Sequence, residues 1–410
     1  MEQVDRSEAF RDVPAGARVV AGAGCGTPLT LLAELAEHAE RAGGATLTAG
    51  ILLGDPPLER AVRSGALRVR SWHVHGALRR LRREGLVDYL PMRLLDVSRF
   101  VLPEADVALV RVGPPDAAGF CSLGASTGFT ADAVEQAGLV IAEVAPDVPR
   151  TRGAAAVHVS QIDRFVRSET PMPQHPPVTP DELSRAVARN VVDLIPHGAT
   201  LQLGLGAVSE GLAVELAPLA AERSLGLLGL VTTPMIPLAE AVIAAGRGPV
   251  RAVELMGDER LMTWADNNPG LEMGSSQQLH HPAVLAAEPA LVSVNSAVAV
   301  DLRGQVVAES VRGTEIAGVG GSADFSEGAH LSPGGLRIIA LRSTTRSGAS
   351  TIVAAHDPAD AVTAPHHSVD AVVTEHGCAW LRGRTAAQRR SALLEVAAPE
   401  HRDQLARGGR

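Results

Sequence analysis

Three glycine-rich segments of this sequence could bind an anion or stabilise a developing negative charge. They cover residues 22–28, 201–210 and 318–335, and the last holds six glycines among eighteen residues, with Asp324 and small polar side chains between them. Main-chain N–H groups in such turns, and at a helix N-terminus that follows, can hold a pyrophosphate or an oxyanion. A compact turn without a ligand is the alternative for each segment. The first two do not complete Gly-x-Gly-x-x-Gly, so a Rossmann dinucleotide site is not expected.

Cys25 and the histidine pair before Pro282 add a candidate nucleophile and a candidate base. A thiol close to a helix N-terminus can have a lowered pKa and attack as the thiolate. His281 follows the polar loop 274–278 and could act as a general base. A small buried cysteine and a surface histidine are the alternative interpretations.

The charged residues restrict the chemistry further. The net charge is −9, and all 37 basic residues are arginine. A chain without lysine cannot form a Schiff base, so it does not use pyridoxal phosphate in the ordinary way, and it has no Walker-type phosphate loop. The negative charge argues against a nucleic-acid partner. The three cysteines lie far apart and match neither a disulfide framework nor a metal site, so no metal is expected.

Length and hydropathy indicate a cytoplasmic protein with two domains. The chain has 410 residues, which is too long for one ordinary hydrophobic core. Of these residues 46% are hydrophobic, enough to form the cores of two domains. No apolar run approaches the roughly 20 residues of a membrane span, and the N-terminus lacks the basic and apolar regions of a signal peptide. A membrane association is therefore not expected.

The elements that must position these residues follow an α/β pattern with mainly parallel sheets. Continuous apolar runs alternate with helical patterns, which is typical of parallel strands covered on both faces. The turn at Arg303-Gly304 predicts one hairpin. The apolar runs predicted as strands are 18–21, 107–112, 139–144, 200–203, 227–231, 290–294, 337–341, 351–354 and 371–373.

A proline-rich segment divides the pattern in two. It holds five prolines within 168–180 and predicts an extended linker between an N-terminal domain, residues 1–167, and a C-terminal domain, residues 181–410. Directly after it, Thr179 could cap a helix, with Pro180 at the first helical position and Glu182 completing a capping box. Another helix is predicted to start near Pro28.

Several blocks in order give the chain a resemblance to a known family. They are residues 112–124, 201–207, 266–269, 294–306 and 373–383. Over nearly its full length the chain resembles the acetyl-CoA hydrolase/CoA-transferase family, which comprises class I CoA-transferases of the acetate and 4-hydroxybutyrate type. The resemblance implies two CoA-transferase-type, NagB/RpiA-like α/β domains, an acyl-CoA site and a homodimer. Coenzyme A or an acyl-CoA is then the substrate, together with a small-molecule acceptor.

The resemblance also implies which residues contact the thioester. The turn Gly204, Leu205, Gly206 and Ala207 corresponds to the family's CoA-contacting turn. The loop that closes over the thioester corresponds to Gly320 and Gly321, with Asp324 ordering its backbone. Arg346 stands where relatives often carry a CoA-contacting lysine and could pair with phosphate, although a solvated loop arginine is the alternative.

At the family's nucleophile the sequence departs from the pattern. These transferases attack the acyl-CoA with a glutamate and form a glutamyl-CoA thioester, whereas here Thr233 stands at that position and Val231 at a preceding histidine. Threonine cannot form the acyl anhydride, and its hydroxyl accepts an acyl group only with a neighbouring base. Glu210 is a candidate replacement, although a helix-surface role is the alternative. Glu240 is expected to face outward. The family carries a glutamate at Glu375 beside its own nucleophile, so Glu375 is expected to have a structural or supporting role.

These observations predict an acyl-CoA-processing enzyme without a glutamyl-CoA intermediate. Its reaction would be acyl transfer, thioester hydrolysis or a condensation, and a lost nucleophile in a retained scaffold suggests a specialised biosynthetic pathway. One alternative is a true CoA-transferase that uses a displaced carboxylate. Another is a non-catalytic acyl-CoA-binding or partner subunit.

Overall fold

The computed structural model describes residues 2–408 and confirms the α/β fold class with mainly parallel sheets. The chain divides into two compact units. Unit 1 comprises residues up to Pro176 together with Arg251–Leu279, and unit 2 comprises Pro177–Val250 together with the chain from His280. The first boundary falls inside the proline-rich segment.

Unit 1 is built on an eight-stranded sheet in which every neighbouring pair is parallel. Its central strand Val107–Val112 is buried at all six positions, as a sheet covered on both faces requires. From edge to edge the strands are Glu2–Gln3, Arg164–Arg167, Leu139–Val144, Val107–Val112, Ala17–Ala21, Ala45–Ala49, Leu67–Ser71 and Val87–Tyr89.

The helices of unit 1 follow the strands in chain order. Leu29–Ala42 begins directly after Pro28, where the sequence predicts a start, and ends at Gly43, whose φ of 87° is the left-handed conformation of a helix C-cap. The strands Phe120–Ser122 and Ala156–His158 form a separate antiparallel pair. The remaining helices are Glu59–Arg63, Gly76–Arg83, Leu94–Phe100, Thr130–Gln136, Glu259–Ala265 and Ser276–Leu279. Further strands are Val250–Met256, which ends inside this unit, and Leu271–Met273, which pairs with Arg152–Gly153.

Within unit 2, six strands are hydrogen-bonded side by side. They are parallel except for Gly377–Trp380, which is antiparallel to its neighbour. The order is Gly377–Trp380, Ala371–Thr374, Leu336–Ala340, Val292–Asn295, Thr200–Leu203 and Gly226–Thr232. A small sheet pairs Ala299–Asp301 with Val306–Val307 and Ile352–Val353, which confirms the hairpin predicted at Arg303-Gly304. The short strands Ser310–Val311 and Thr314–Glu315 pair with each other.

Helices of unit 2 correct two expectations. Glu182–Val192 is capped by Asp181, whose carboxylate accepts a hydrogen bond from the Ser184 N–H at 2.9 Å, so the prediction of a Thr179 cap is wrong. The glycine-rich segment 318–335 is not a continuous loop, because Ser322–Leu331 forms a helix. The remaining helices are Ala207–Leu216, Ile236–Ala244, Pro282–Ala286, Ala386–Val396 and Arg402–Gly408. No helix among residues 2–408 is long and apolar enough to cross a membrane.

Candidate functional site

A cavity of about 460 Å³ in unit 2 collects several of the residues singled out in the sequence. One wall is the turn Leu205–Val208, which leads from the strand Thr200–Leu203 into the helix Ala207–Leu216. Gly206 adopts a φ of 112°, a conformation that side-chain-bearing residues rarely adopt. The Gly204 N–H donates to the Val294 carbonyl at 3.2 Å, so this amide serves the sheet and is not available to a ligand.

Two arginines and one aspartate, Asp181, line the same cavity. Arg342 pairs with Asp181, its Nη1 lying 2.5 Å from the carboxylate Oδ2. Arg346 is exposed at the tip of a tight loop, which is closed by a hydrogen bond from the Thr345 N–H to the Ala349 carbonyl at 2.8 Å. The structure therefore brings Arg346 and the Leu205–Ala207 turn to one cavity.

Glu375 anchors the start of this arginine loop. Its two carboxylate oxygens accept hydrogen bonds from the Ser343 N–H at 2.9 Å and the Ser343 hydroxyl at 2.6 Å. Since Glu375 follows the strand Ala371–Thr374, the sheet holds the loop through this carboxylate. The structural role expected for Glu375 is the one that these contacts describe.

Glu210 is buried, so the alternative interpretation as a helix-surface residue is wrong. It lies in the first turn of the helix Ala207–Leu216, and its side chain is 0% exposed. Oε2 accepts a hydrogen bond from the Val178 N–H at 2.7 Å, whereas Oε1 is buried without a hydrogen-bond partner in residues 2–408. Burial raises the pKa of this carboxyl to about 7, because desolvation disfavours the charged form.

Thr233 lies where the strand Gly226–Thr232 ends and a short 3-10 turn, Thr233–Met235, begins. The side chain is buried, as is that of Val231. The hydroxyl of the neighbouring Thr232 is buried without a hydrogen-bond partner in the described part of the chain. Glu240, in the helix that follows, is exposed as expected.

His280 and Asp324 form a buried pair that the sequence did not indicate. His280 Nδ1 lies 3.0 Å from Asp324 Oδ2, and both side chains are at most 2% exposed. Asp324 sits on the helix Ser322–Leu331 and not in a loop, shortly after Gly320 and Gly321. His281, the histidine favoured as a base, is exposed, and its ring accepts a hydrogen bond from the Ala283 N–H at the start of a helix.

The surroundings of Cys25 raise the pKa of its thiol, whereas the sequence analysis considered a lowered pKa. The thiol is completely buried in unit 1, and burial raises its pKa to about 11. Its sulfur lies 3.7 Å from the Gly257 carbonyl, which can accept the S–H. The glycine turn around it uses its own amides, since the Gly22, Gly24 and Gly26 N–H groups donate to backbone carbonyls. A thiolate nucleophile at Cys25 is therefore not supported.

Unit 1 also contains a carboxyl group that sequence reasoning missed. Glu254 Oε1 accepts a hydrogen bond from the Ser126 hydroxyl at 2.7 Å, and Oε2 is buried without a partner among the residues described. Gly24 and Gly128 approach the two oxygens, where a Cβ atom would lie 3.1 and 3.5 Å away. Burial raises the pKa of Glu254 to about 8. A single glutamate inside an apolar strand carries no local signal of this environment.

No metal site is evident in the described part of the chain. Residues 2–408 contain no group of three or more His, Cys, Asp or Glu side chains placed to hold a metal ion.

Comparison with known proteins identifies the family. Residues 2–174 match the acetyl-CoA hydrolase/transferase N-terminal domain, and residues 257–408 match the C-terminal domain. The chain is 34% identical to 4-hydroxybutyrate coenzyme A transferase of Clostridium kluyveri, covering 98% of this chain and 96% of that protein. It is 30% identical to succinyl-CoA:acetate/propanoyl-CoA:succinate CoA transferase of Fasciola hepatica, covering 97% and 85%. The chain belongs to the acetyl-CoA hydrolase/transferase family and is an enzyme of that kind.

A solved structure supports the same assignment. RipA from Yersinia pestis superposes with a TM-score of 0.90 at 26% sequence identity, covering 99% of this chain and 96% of that one. The family resemblance noted in the sequence is confirmed by these matches.

Proposed function

We propose that this protein processes an acyl-CoA by acyl transfer, thioester hydrolysis or condensation, without a glutamyl-CoA intermediate. The observation that carries the proposal is the cavity in unit 2, where the Leu205–Val208 turn meets Arg342 and Arg346. A CoA thioester needs cations for its phosphates and an apolar, turn-lined groove for its pantetheine arm. The curated relatives, which are named as CoA transferases, support the same substrate class.

The absence of a carboxylate at position 233 supports the second part of the proposal. A hydroxyl cannot displace CoA to form the acyl anhydride that the CoA thiolate then attacks, so Thr233 does not substitute for a glutamate in that chemistry. Attack by the acceptor on the thioester in one step requires no enzyme carboxylate. It does require stabilisation of the oxyanion, for which Gly206 and the Gly320-Gly321 segment are the candidates.

An acyl-enzyme trap tests the proposal. The protein is incubated with acetyl-, butyryl- or succinyl-CoA, treated with borohydride, digested and examined by mass spectrometry. We expect CoA release or acyl transfer without a reduced glutamyl side chain. A reduced glutamate at any position would contradict the proposal.

The same experiment addresses a second candidate, a CoA-transferase with a displaced carboxylate. Glu210 favours this alternative, because its carboxyl is buried next to Val178, which itself lines the cavity. If the modified peptide contained Glu210, the alternative would replace our proposal. Glu254 would be recognised in the same digest as a separate peptide.

A further inference from the structure

The His280–Asp324 pair has the geometry of an oriented imidazole. Asp324 Oδ2 lies 3.0 Å from Nδ1, so an ionised carboxylate accepts the Nδ1–H and fixes the tautomer in which Nε2 carries a lone pair. That Nε2 is buried and has no hydrogen-bond partner within residues 2–408. A buried acceptor without a partner destabilises the fold, because it has lost its hydrogen bonds to water. The ring of His280 is held in place by a carboxylate although its Nε2 destabilises the fold. This combination points to a proton-accepting role for Nε2.

The backbone of Gly321 packs directly against the imidazole. A Cβ atom on Gly321 would lie 2.4 Å from His280 Cε1 and 3.0 Å from Nδ1, so only glycine permits this approach. Gly321 itself is partly exposed, as is the whole segment 314–321. Gly320 has a φ of 56°, and a Cβ atom placed on it would meet no other atom within 4 Å, so open space surrounds the segment there. The backbone that packs against the imidazole is therefore glycine-rich and partly exposed.

Phe325 connects the pair to the strand that carries Thr233. Its ring packs edge-on against the His280 ring, with centroids 4.6 Å apart. The far side of the ring meets Gly229, where a Cβ atom would lie 2.9 Å from the Phe325 Cζ. Gly229 adopts a φ of 110° and lies four residues before Thr233. The imidazole is therefore packed through one aromatic ring against the strand whose end carries the altered nucleophile position.

We propose that His280, oriented by Asp324, is the general base that activates an O–H acceptor for attack on the thioester. Nε2 takes the proton of water or of an alcohol as its oxygen bonds to the carbonyl carbon. The C–S bond then breaks, and the imidazolium returns the proton to the departing sulfur, giving CoA-SH and either a carboxylic acid or an ester. This inference rests on the proposed function. If no carboxylate attacks the thioester, the O–H acceptor needs a base to take its proton, and His280 is that base.

The test separates binding from turnover in full-length His280→Gln and Asp324→Asn variants, with His330→Gln as the matched control. His330 is exposed on the same helix as Asp324. CoA release from acetyl-CoA is followed with water alone and with a panel of alcohols, and Kd is measured for CoA. We expect kcat to fall about 10²- to 10⁴-fold in the first two variants. Kd and the thermal midpoint should stay close to those of wild type.

A second measurement remains informative if a variant unfolds. In the ¹⁵N-histidine-labelled wild-type protein, the His280 signals should show the Nδ1–H tautomer, and Asp324→Asn should disturb it. A wild-type Nε2–H tautomer, or a His280→Gln variant with kcat close to that of wild type, would overturn the inference alone. Absence of turnover in the wild-type protein with every acyl-CoA and acceptor would overturn the proposed function and, with it, the inference.

Discussion

Under the proposed function, one side chain, at position 233, separates two kinds of thioester chemistry. The Thr233 side chain is buried at the strand end where the family resemblance places the glutamate nucleophile. If the rest of the site is intact, Thr233→Glu should create CoA exchange between an acyl-CoA and a free carboxylate, because the missing nucleophile is restored. Overpacking should cost about 1–3 kcal/mol of stability. Exchange is measured with labelled acetate and butyryl-CoA.

The control for this prediction is Thr233→Gln, which adds nearly the same volume without a carboxylate. It should lose as much stability and gain no exchange. If the glutamate variant folds and binds CoA but exchanges nothing, the site differs from that of the transferases by more than its nucleophile.

Glu210 predicts a pH-dependent stability. Its pKa in the folded protein is about 7, above the ordinary value of 4.5, so the folded state binds the proton more tightly than the unfolded state. The contribution of the protonated carboxyl to the free energy of unfolding is therefore fully present below about pH 4.5 and is lost as pH rises through 7. Glu210→Gln should remove this loss and stabilise the protein at pH 8 by up to about 3 kcal/mol.

The measurement is urea unfolding of both proteins at pH 5 and pH 8. Glu240→Gln, which removes an exposed carboxyl from a neighbouring helix, should follow wild type at both pH values. An equal change in the two variants would show that net charge, and not the burial of Glu210, controls the effect.

At the scale of elements, a buried ion pair fixes the start of the helix Leu29–Ala42. Arg111 Nη1 lies 2.5 Å from Glu143 Oε1, and both side chains are fully buried. Glu143 Oε2 accepts the Thr30 N–H at 2.8 Å and the Leu31 N–H at 3.3 Å, which are first-turn donors of the helix. One carboxylate thus joins the central strands to the helix that follows the Cys25 turn.

Arg111→Met should destabilise unit 1 by about 3–5 kcal/mol, because Glu143 is left as a buried charge without its partner. Arg63→Met is the matched control, since the Arg63–Glu84 pair is exposed and worth about 0–1 kcal/mol. Hydrogen exchange of peptides covering residues 29–42 should accelerate in the first variant alone. Equal protection in both variants would mean that the helix start does not depend on this pair.

The sequence predicted elements wherever local patterns decide the structure. Runs 107–112 and 139–144 form strands with those bounds, because mainly apolar residues suit a sheet covered on both faces. Run 200–203 also forms a strand with the predicted bounds. Strands Ala45–Ala49 and Leu67–Ser71 were missed because alternating Thr and Arg residues interrupt the apolar pattern.

Tertiary packing determined what the sequence could not. The helix Ser322–Leu331 was missed because glycines suggested a loop, yet Gly328 is required there, since a Cβ atom would lie 2.3 Å from the Leu285 Cβ. The His280–Asp324 contact joins residues 44 positions apart, and the Glu210 carboxylate is bonded to Val178, 32 positions away, so neither contact leaves a local signal.

At the scale of the whole molecule, the sequence contains no lysine, so every permanently positive side chain is an arginine. All 37 basic residues are arginine, so an amine-selective reagent can react only with the α-amino group of the wild-type chain. Amine acylation should therefore leave CoA binding unchanged. Arginine-selective phenylglyoxal should abolish it if Arg342 or Arg346 holds the phosphates.

Arg346→Lys places a single lysine in this background, at the exposed edge of the cavity. If CoA covers this position, free CoA at about ten times its Kd should slow acylation of the lysine about tenfold, in proportion to the unoccupied fraction. Arg303→Lys, an exposed position of the same unit outside the cavity, should be acylated at the same rate with and without CoA. Peptide mass spectrometry measures both rates. Equal protection at the two positions, or none at 346, would place the phosphates elsewhere and remove the charge argument for the cavity.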